Sequence, residues 1–271
     1  MRVAIIGCGS IGSYIARSIA SGCIPRMQLV ALADAVETPG AKETAARCGC
    51  PFTTQVGSLT TFGSDLVIEA ASQDAARQWV PFFLAAGCDV MVMSVGALAD
   101  DAFLSRVLEL AERQGRRIYV PSGAIGGLDV IKAAGVGEIR EVILTTTKPA
   151  SALSAAPFVI KRGLDLNGLT EPAIIYEGPA AEAVKEFPQN VNVAAALSLA
   201  GIGPRRTLVR IVAHPNSKQN IHEVYVRGEF GEATFRLANV PSPNNPRTSY
   251  LACLSAVATL RRIASPLQVG T

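Results

Sequence analysis

The sequence feature that most constrains this chain is the glycine-rich turn GCGSIG, which directly follows the apolar run RVAII. The spacing Gly-x-Gly-x-x-Gly between a predicted strand and a predicted helix is typical of a dinucleotide-binding turn. The first glycine permits a tight bend, the second lets the backbone approach a pyrophosphate, and the third lets the helix pack closely. The candidate cofactor contacts in this turn are Gly7, Gly9, Ser10, Ile11 and Gly12.

An acidic residue, Asp34, ends the next predicted strand, MQLVALAD. A carboxylate in this position accepts hydrogen bonds from the adenosine ribose and repels a 2′-phosphate, which favours NAD over NADP. NADP stays an alternative, because Arg26 or Lys42 is available to accommodate the extra phosphate. A glycine turn without any ligand is the competing interpretation, but the strand, the helix and the acidic residue together argue against it.

Predicted strands and helices alternate along the first part of the chain, which favours a parallel sheet covered on both faces. After about residue 125 strands dominate, and from Thr207 onwards the pattern is typical of antiparallel hairpins. We therefore predict an α/β fold with an N-terminal, doubly wound parallel sheet and a second α+β domain carrying a mixed, largely antiparallel sheet. The predicted domains are 1–122, completed by a C-terminal helix over 246–271, and 123–245.

Composition narrows the class of ligand. Hydrophobic residues make up 49% of the chain, charged residues 17%, and the net charge is only +3. Since the basic residues are scattered, we expect neither a nucleic-acid nor a membrane partner, but a small-molecule ligand. The six cysteines lack the spacing of a zinc site or of a secreted disulfide framework, which indicates a reduced, cytoplasmic protein without a metal.

Two further turns follow predicted parallel strands, namely Ala70-Ala71-Ser72 and Ser94-Val95-Gly96-Ala97. Open parallel sheets bind ligands beyond the carboxyl ends of their strands, and small residues there leave room for a nicotinamide ribose. The candidate cofactor contacts in these turns are Ala71, Ser72 and Ser94. Tight turns without a ligand are the alternative for each of them.

Four blocks in the second half of the chain resemble the L-aspartate dehydrogenase family. They are PSGAIGGLD (121–129), FPQNVNVAAALSLAG (187–201), NIHEV (220–224) and PSPNNPRTSYLACLSA (241–256). Members of this family oxidise L-aspartate to iminoaspartate with NAD(P); the imine hydrolyses to oxaloacetate and ammonia or feeds NAD biosynthesis. The resemblance covers essentially the whole chain and implies a Rossmann domain followed by a mixed α/β domain.

The resemblance also assigns roles to particular residues. It implies that Ala124 and Asn192 contact the cofactor and that His222 is the catalytic histidine, whereas His214 inherits no role. Strand alternation independently predicts that His222 faces inward with Val224 and Val226, where a histidine is either a core residue or a catalyst. An unperturbed pKa of about 6.5 would suit proton transfer near neutral pH. The two histidines alone are too few ligands for a metal site.

Several polar residues are candidates for binding the two substrate carboxylates. Lys148 ends a predicted strand, and Arg247, Thr248 and Ser249 open the last predicted helix, whose N-terminus would add N–H donors. Asn190 lies with Asn192 at a predicted helix break, where a carboxamide can bind a ligand or only cap the helix. Surface charge and helix capping are the alternatives for these residues.

We therefore predict an NAD(P)-dependent dehydrogenase that oxidises L-aspartate and assembles as a homo-oligomer, with a dimer expected. One alternative is a related reductase that acts on another small dicarboxylate or keto acid. Another is a non-catalytic NAD-binding sensor. The spacing between His214 and His222 is expected to reflect a hairpin connection, which leaves His214 as a bystander.

Overall fold

The computed structural model describes residues 1–187, 192–243 and 245–271, except for the side chains of residues 246 and 247. These residues form two compact units. The first unit comprises Met1–Pro121 and Ala252–Gln268, and the second comprises Ser122–Leu251 and Val269–Thr271. Within the described residues, none of the helices has the length and apolar character that crossing a membrane requires.

The first unit contains a six-stranded parallel sheet of order β3-β2-β1-β4-β5-β6. Its strands are β1 (Arg2–Ile6), β2 (Gln28–Ala33), β3 (Phe52–Thr53), β4 (Leu66–Glu69), β5 (Asp89–Val92) and β6 (Ile118–Tyr119). Its helices are α1 (Ser10–Ala20), α2 (Pro39–Cys48), α3 (Gln73–Ala85) and α4 (Asp101–Gln114), with 3₁₀ segments at Val56–Phe62 and Val95–Ala99. The predicted alternation of strand and helix and the predicted parallel sheet are confirmed.

Local sequence explains where most of these helices begin. Thr38, Ser72 and Asp100 precede α2, α3 and α4, and each side chain accepts a hydrogen bond from a backbone N–H in the first turn. Such caps satisfy N–H groups that have no partner within the helix. Helix α1 differs, because it begins after Gly9, which has no side chain to cap it. The first N–H groups of α1 are therefore left for another acceptor.

The second unit contains a five-stranded mixed sheet of order β11-β10-β7-β9-β8 and a two-stranded sheet of β12 and β13. Its strands are β7 (Ile139–Pro149), β8 (Ala173–Pro179), β9 (Leu208–His214), β10 (Asn220–Gly228), β11 (Gly231–Asn239), β12 (Pro241–Ser242) and β13 (Asn245–Ser249). The helices α5 (Leu128–Ala134), α6 (Ala150–Leu153), α7 (Pro157–Arg162), α8 (Ala180–Glu186) and α9 (Asn192–Ala200) lie in this unit, and α10 (Tyr250–Ala264) follows β13. The α+β class predicted for this half is confirmed.

The pairing of the histidine-bearing strands differs from the prediction. Strand β7 lies between β9 and β10, pairing in parallel with β9 and antiparallel with β10. The expected hairpin between His214 and His222 is therefore wrong, whereas β10 and β11 do form an antiparallel hairpin. Alternation identifies which residues form a strand, but the choice of neighbouring strand depends on the packing of the whole sheet.

The last helix also begins later than its sequence pattern predicts. Arg247, Thr248 and Ser249 belong to β13, and α10 starts at Tyr250. Pairing with β12 holds this segment extended, since Ser249 lies opposite Pro241 and the Tyr250 N–H donates to the Val240 carbonyl at 3.0 Å. The prediction that these three residues open a helix, and that its N-terminus contributes anion-binding donors there, is wrong.

Helix α10 contributes to the core of the first unit. Ala256, Val257 and Leu260 belong to the same buried cluster as Ile5 of β1 and Ile15 of α1. The apolar side of α10 thus covers the same sheet that carries the glycine-rich turn. Within this unit, Arg261 also donates from Nε to the Cys23 carbonyl at 3.0 Å.

Candidate active site

Two positions of the glycine-rich turn in the first unit require glycine because any side chain there would overlap with neighbouring protein atoms. Gly7 has φ of +97°, and a Cβ added there would lie 2.5 Å from the Ala70 carbonyl oxygen. A Cβ added to Gly12 would lie 1.9 Å from the Gly7 carbonyl oxygen. Both contacts are with backbone atoms, which cannot move aside as a flexible side chain can. These two glycines therefore let the start of α1 pack tightly against β1 and β4.

The third glycine, Gly9, is different because a Cβ there would meet no atom within 4 Å. The next residue, Ser10, also indicates that a ligand binds here. Its Oγ is buried without a hydrogen bond. Buried hydroxyls are rarely unpaired in proteins. The open space at Gly9, the Ser10 hydroxyl and the uncapped N–H groups of α1 together fit a bound phosphate.

Asp34 lies at the carboxyl end of β2, next to this turn. One of its carboxylate oxygens accepts a hydrogen bond of 2.7 Å from the Cys8 N–H, which ties the acidic residue to the glycine-rich turn. Asp34 also borders a pocket of ≈ 370 Å³ in the first unit. The pocket is lined by Ile6, Gly7, Gly9, Asp34, Ala35, Val56, Ala70, Ala71, Ser72, Ala75 and Trp79. The structure thus brings Gly7, Gly9, Asp34, Ala71 and Ser72 together in one pocket.

Glu69 is a site residue that sequence reasoning missed. This side chain is only 1% exposed at the carboxyl end of β4. Its Oε1 accepts hydrogen bonds from the N–H groups of Ala71 (2.8 Å) and Ser72 (3.0 Å), and from the Ser94 hydroxyl (2.8 Å). Its Oε2 accepts from the Ser94 N–H at 3.0 Å. One carboxylate therefore joins the two predicted cofactor turns.

Two effects act on the Glu69 carboxyl group. Burial raises its pKa, while the hydrogen bonds from Ala71, Ser72 and Ser94 lower it. The signal that would have found this residue is its position, because it is the one charged residue in the apolar strand LVIE and it ends that strand. Ser94 does not line the pocket; it is 8% exposed and instead acts on the pocket through Glu69.

In the second unit, the sheet places three polar side chains on one buried face. His222 of β10 lies directly opposite Thr146 of β7, and Lys148 lies two residues further along β7 on the same face. The His222 Nδ1 and the Thr146 Oγ1 are 3.0 Å apart, within hydrogen-bonding distance. His222 is 3% exposed, and Val224 and Val226 beside it are fully buried. The predicted inward orientation of His222 is confirmed.

The electrostatics of this cluster differ from the values that residue type alone suggests. Burial, and then the charge of Lys148, lower the pKa of His222 to about 3. Burial also lowers the pKa of Lys148 to about 8. At neutral pH the imidazole is therefore neutral and the lysine is mostly cationic. The arrangement offers a carboxylate-binding ammonium group beside a fixed, neutral imidazole.

His214 lies apart from this cluster. It ends β9 next to the fully buried Ala213, so its side chain takes the opposite face of the sheet. Its Nδ1 accepts a hydrogen bond from the Asn216 N–H at 3.1 Å. This contact closes the turn after β9. Among the described residues, no group of three or more His, Cys, Asp or Glu side chains is arranged to hold a metal ion.

The two residues to which the resemblance assigns cofactor contacts lie in neighbouring segments of the second unit. A Cβ added to Gly123, next to Ala124, would lie 3.8 Å from a methyl group of Val193, which follows Asn192. Asn192 is exposed at the start of α9, which begins where the predicted helix break falls. The turn before α5 and the start of α9 therefore contact each other.

A second residue that sequence reasoning missed, Asn239, holds the Ala124 turn in place. It is 5% exposed at the end of β11, and its amide Nδ2 donates to the Ala124 carbonyl at 3.0 Å. Gly127 closes the same turn with φ of +81°, where a Cβ would lie 2.4 Å from the Phe235 ring. A polar residue ending an otherwise alternating strand is the signal that could have identified Asn239.

The remaining predicted substrate contacts are only partly described. Asn190 lies outside the described residues, and so does the side chain of Arg247. Ser249 is buried and Thr248 is half-buried, both in β13. Among the predicted substrate-binding residues that the structure describes, Lys148 lies in the same cluster as His222.

A larger pocket of ≈ 610 Å³ in the second unit contains none of the predicted site residues that the structure describes. It lies at β8, α7 and α8, with Phe158, Arg162, Tyr176 and Glu182 in its lining. Two of its acidic side chains are already paired with cations, Glu177 with Arg210 at 2.8 Å and Glu186 with Lys161 at 3.8 Å. Size alone does not make this pocket the site of chemistry.

The fold and the glycine-rich pocket are those of a dinucleotide-binding protein with a Rossmann-type unit and a second, mixed α/β unit. Two family models match the chain, "Homoserine dehydrogenase, NAD binding domain" over residues 7–121 and "Aspartate dehydrogenase, C-terminal" over residues 129–263. The chain belongs to the aspartate dehydrogenase family. It therefore has a domain of the kind that binds a nicotinamide cofactor.

Individual relatives agree with this assignment. The L-aspartate dehydrogenase of Methanosarcina acetivorans is 46% identical over 272 residues, covering 100% of both chains. That of Methanocaldococcus jannaschii is 42% identical over 271 residues, again covering 100% of both. The crystal structure of aspartate dehydrogenase from Thermotoga maritima is 27% identical, with a TM-score of 0.77, and covers 100% of this chain and 99% of its own.

Proposed function

We propose that this protein is an NAD-dependent L-aspartate dehydrogenase that oxidises L-aspartate to iminoaspartate, which hydrolyses to oxaloacetate and ammonia. The observation that carries the proposal is the buried cluster of His222, Thr146 and Lys148 in a chain of this family. A substrate with two carboxylates and an ammonium group needs a cation and a proton-exchanging group close together. Residues Lys148 and His222 supply them.

The residues of the first unit fit a dinucleotide. The open space at Gly9 and the unpaired Ser10 hydroxyl suit the pyrophosphate, and Asp34 suits the adenosine ribose hydroxyls. Ala124 and Asn192 would hold the nicotinamide half. When bound, the nicotinamide ring accepts a hydride from the substrate Cα.

The low pKa of His222 has a consequence for its role. A neutral imidazole accepts a hydrogen bond from the substrate ammonium, but with a pKa of about 3 it is a weak base. A substrate carboxylate beside Lys148 would offset the lysine charge that contributes to this low pKa. Binding of a dicarboxylate would therefore strengthen His222 as a base. Lys148 thus anchors the substrate and tunes His222, while Asn190, Arg247, Thr248 and Ser249 stay candidate substrate contacts.

We propose NAD as the preferred cofactor over NADP because the two cations considered for a 2′-phosphate are poorly placed. Arg26 precedes β2, at the end of the strand opposite Asp34. Lys42 is paired with Glu37 at 2.6 Å on the surface. Asp34 therefore faces the ribose with a negative charge and no competing cation from these residues.

Removing the charge of Asp34 is expected to shift this preference toward NADP. In Asp34→Asn, the amide oxygen still accepts a hydrogen bond from the Cys8 N–H, so this contact with the glycine-rich turn is kept. The repulsion between the carboxylate and a 2′-phosphate, however, disappears. We expect the ratio of kcat/KM for NAD over that for NADP to fall at least about tenfold, a difference of about 1.4 kcal/mol. Asp34→Ala, which also removes the tie, is the comparison. An unchanged ratio in Asp34→Asn would assign the preference to another residue.

The proposed activity is tested by incubating the protein with NAD or NADP and a panel of amino acids at alkaline pH. The panel contains L-aspartate, D-aspartate, L-glutamate, L-asparagine and L-alanine, and reduced cofactor is followed by absorbance. We expect L-aspartate to be oxidised with the highest kcat/KM. Faster oxidation of another dicarboxylate, or consumption of NADH with a keto acid in the absence of ammonia, would identify a related reductase. Tight cofactor binding without oxidation of any compound would indicate a non-catalytic sensor.

We also propose that the protein is a cytoplasmic homodimer. All six cysteines are thiols, as in a reducing compartment. Sedimentation or light scattering on the purified protein measures the oligomeric state directly.

A further inference from the structure

Part of the lining of the nucleotide pocket is apolar. Besides Asp34 and the glycine-rich turn, the pocket is bordered by Val56 of the first 3₁₀ segment and by Ala75 and Trp79 of α3. Ala75 and Trp79 are four residues apart and so lie on the same side of the helix. Trp79 is the single tryptophan of the chain. None of these three residues belongs to the glycine-rich motif or to the turns that follow β4 and β5.

The indole ring of Trp79 is held in place by its neighbours. A Cβ added to Gly57 would lie 3.6 Å from the ring edge, so the 3₁₀ segment runs close over it. The ring packs edge-on against Phe82, with 5.5 Å between centroids, and at a tilt against Phe83 at 6.1 Å. Phe83 is itself 1% exposed and anchors the group in the core. Trp79 therefore presents an ordered aromatic surface to the pocket before any ligand binds.

Covalent connectivity decides which part of a dinucleotide this surface meets. If the pyrophosphate lies at Gly9 and Ser10 and the adenosine ribose at Asp34, the base attached to that ribose must occupy the remaining lining of the same pocket. That lining is apolar and aromatic, which suits the flat π-face of a purine.

We propose that Trp79 is the platform for the adenine ring of the cofactor, with Val56 and Ala75 completing the adenine subsite. This inference rests on the proposed use of a nicotinamide dinucleotide. The adenine ring is thereby assigned to one side chain outside the glycine-rich motif. An aromatic surface that is already ordered loses little conformational freedom on binding, so its contact with the base contributes efficiently to affinity.

Because Trp79 is the single tryptophan, its fluorescence reports on this position alone. We expect ADP-ribose, which carries the adenosine half of the cofactor, to change the emission saturably, with the Kd found by calorimetry. Nicotinamide mononucleotide, which lacks adenine, is expected to leave the emission unchanged. Calorimetric binding of ADP-ribose with no change in emission would overturn the proposal. This titration needs no turnover, so it separates the adenine subsite from the proposed enzymatic activity.

Substitution provides the second arm of the test. Trp79→Leu is expected to raise the Kd for ADP-ribose about 10- to 100-fold, and Trp79→Phe is expected to raise it less, because a smaller aromatic face remains. Phe82→Leu is the matched control, since Phe82 lies on the same helix, is 42% exposed and does not line the pocket. Because Phe82 only packs against the edge of the Trp79 ring, we expect Phe82→Leu to raise the Kd for ADP-ribose far less than Trp79→Leu does. Equal losses in Trp79→Leu and Phe82→Leu would indicate a packing role and overturn the proposal.

Thermal unfolding of each variant shows whether the substitution prevents folding. If Trp79→Leu does not fold, the emission titration of the wild type and the affinity of Trp79→Phe decide the question. If the wild type shows the emission change but oxidises no amino acid, the adenine subsite stands and the proposed activity fails. If L-aspartate is oxidised but the emission and the affinity of the variants are unaffected, the activity stands and the role of Trp79 fails.

Discussion

Replacing His222 by alanine is expected to lower kcat by about 10²- to 10⁴-fold, the range typical of losing a group that transfers a proton. The imidazole is fixed by Thr146 and lies beside the ammonium group of Lys148, so no water molecule would reproduce its position and polarity. The affinity for NAD is expected to stay within about twofold, since the pyrophosphate and adenosine contacts belong to the first unit. Steady-state kinetics with L-aspartate, together with calorimetric titration of NAD, measure both quantities.

His214→Ala is the matched control for this variant. His214 faces away from the cluster and accepts a hydrogen bond only within the turn after β9, so we expect kcat within about twofold of wild type. Surface contacts of this kind contribute little to activity. If His214→Ala were the damaging change, or if His222→Ala kept full turnover, the assignment of His222 would be wrong.

Substituting Gly12 by alanine is expected to destabilise the protein by about 3 kcal/mol or more, the upper range for overpacking, and to abolish detectable cofactor binding. The added methyl carbon would lie 1.9 Å from the Gly7 carbonyl oxygen and 3.0 Å from its carbonyl carbon. Relief of this overlap requires α1 to move away from β1, which displaces the first N–H groups of α1, next to the pocket-lining Gly9. Chemical denaturation measures the first effect, and NAD titration of the folded fraction measures the second.

Gly9→Ala tests whether glycine is required at this position for the stability of the protein or for cofactor binding. The new methyl group would meet no atom within 4 Å, so the free energy of unfolding is expected to match that of the wild type. Cofactor affinity is nevertheless expected to fall at least about tenfold, because the methyl group occupies space that a pyrophosphate needs. Normal NAD affinity in Gly9→Ala would show that the phosphates bind elsewhere.

The structure also shows where local pattern was a sufficient guide. The parallel sheet and the glycine-rich turn were predictable because a buried strand, a tight turn and a helix each leave a local signature. The inward orientation of His222 was predictable for the same reason, since alternation along a strand needs no knowledge of the neighbouring strand.

Other features depend on residues that are distant in the sequence. Glu69 becomes recognisable as a link only when β4 and β5 lie side by side and bring Ser94 to its carboxylate. The extended conformation of Arg247, Thr248 and Ser249 is imposed by pairing with β12, which overrides a helical pattern. Asn239 reaches Ala124 only because β11 ends beside that turn.

Local sequence patterns were enough to predict the class of fold, the nucleotide-binding turn, the acidic residue that follows it and the side of the strand on which His222 lies. Each of these follows from periodicity or from spacing within a few tens of residues. Tertiary structure alone decided that β7 separates the two histidines, and that Lys148 and Thr146 surround His222. It also decided that burial and the Lys148 charge lower the pKa of His222 to about 3. Strand order and desolvation depend on the packing of distant segments, which no local pattern encodes.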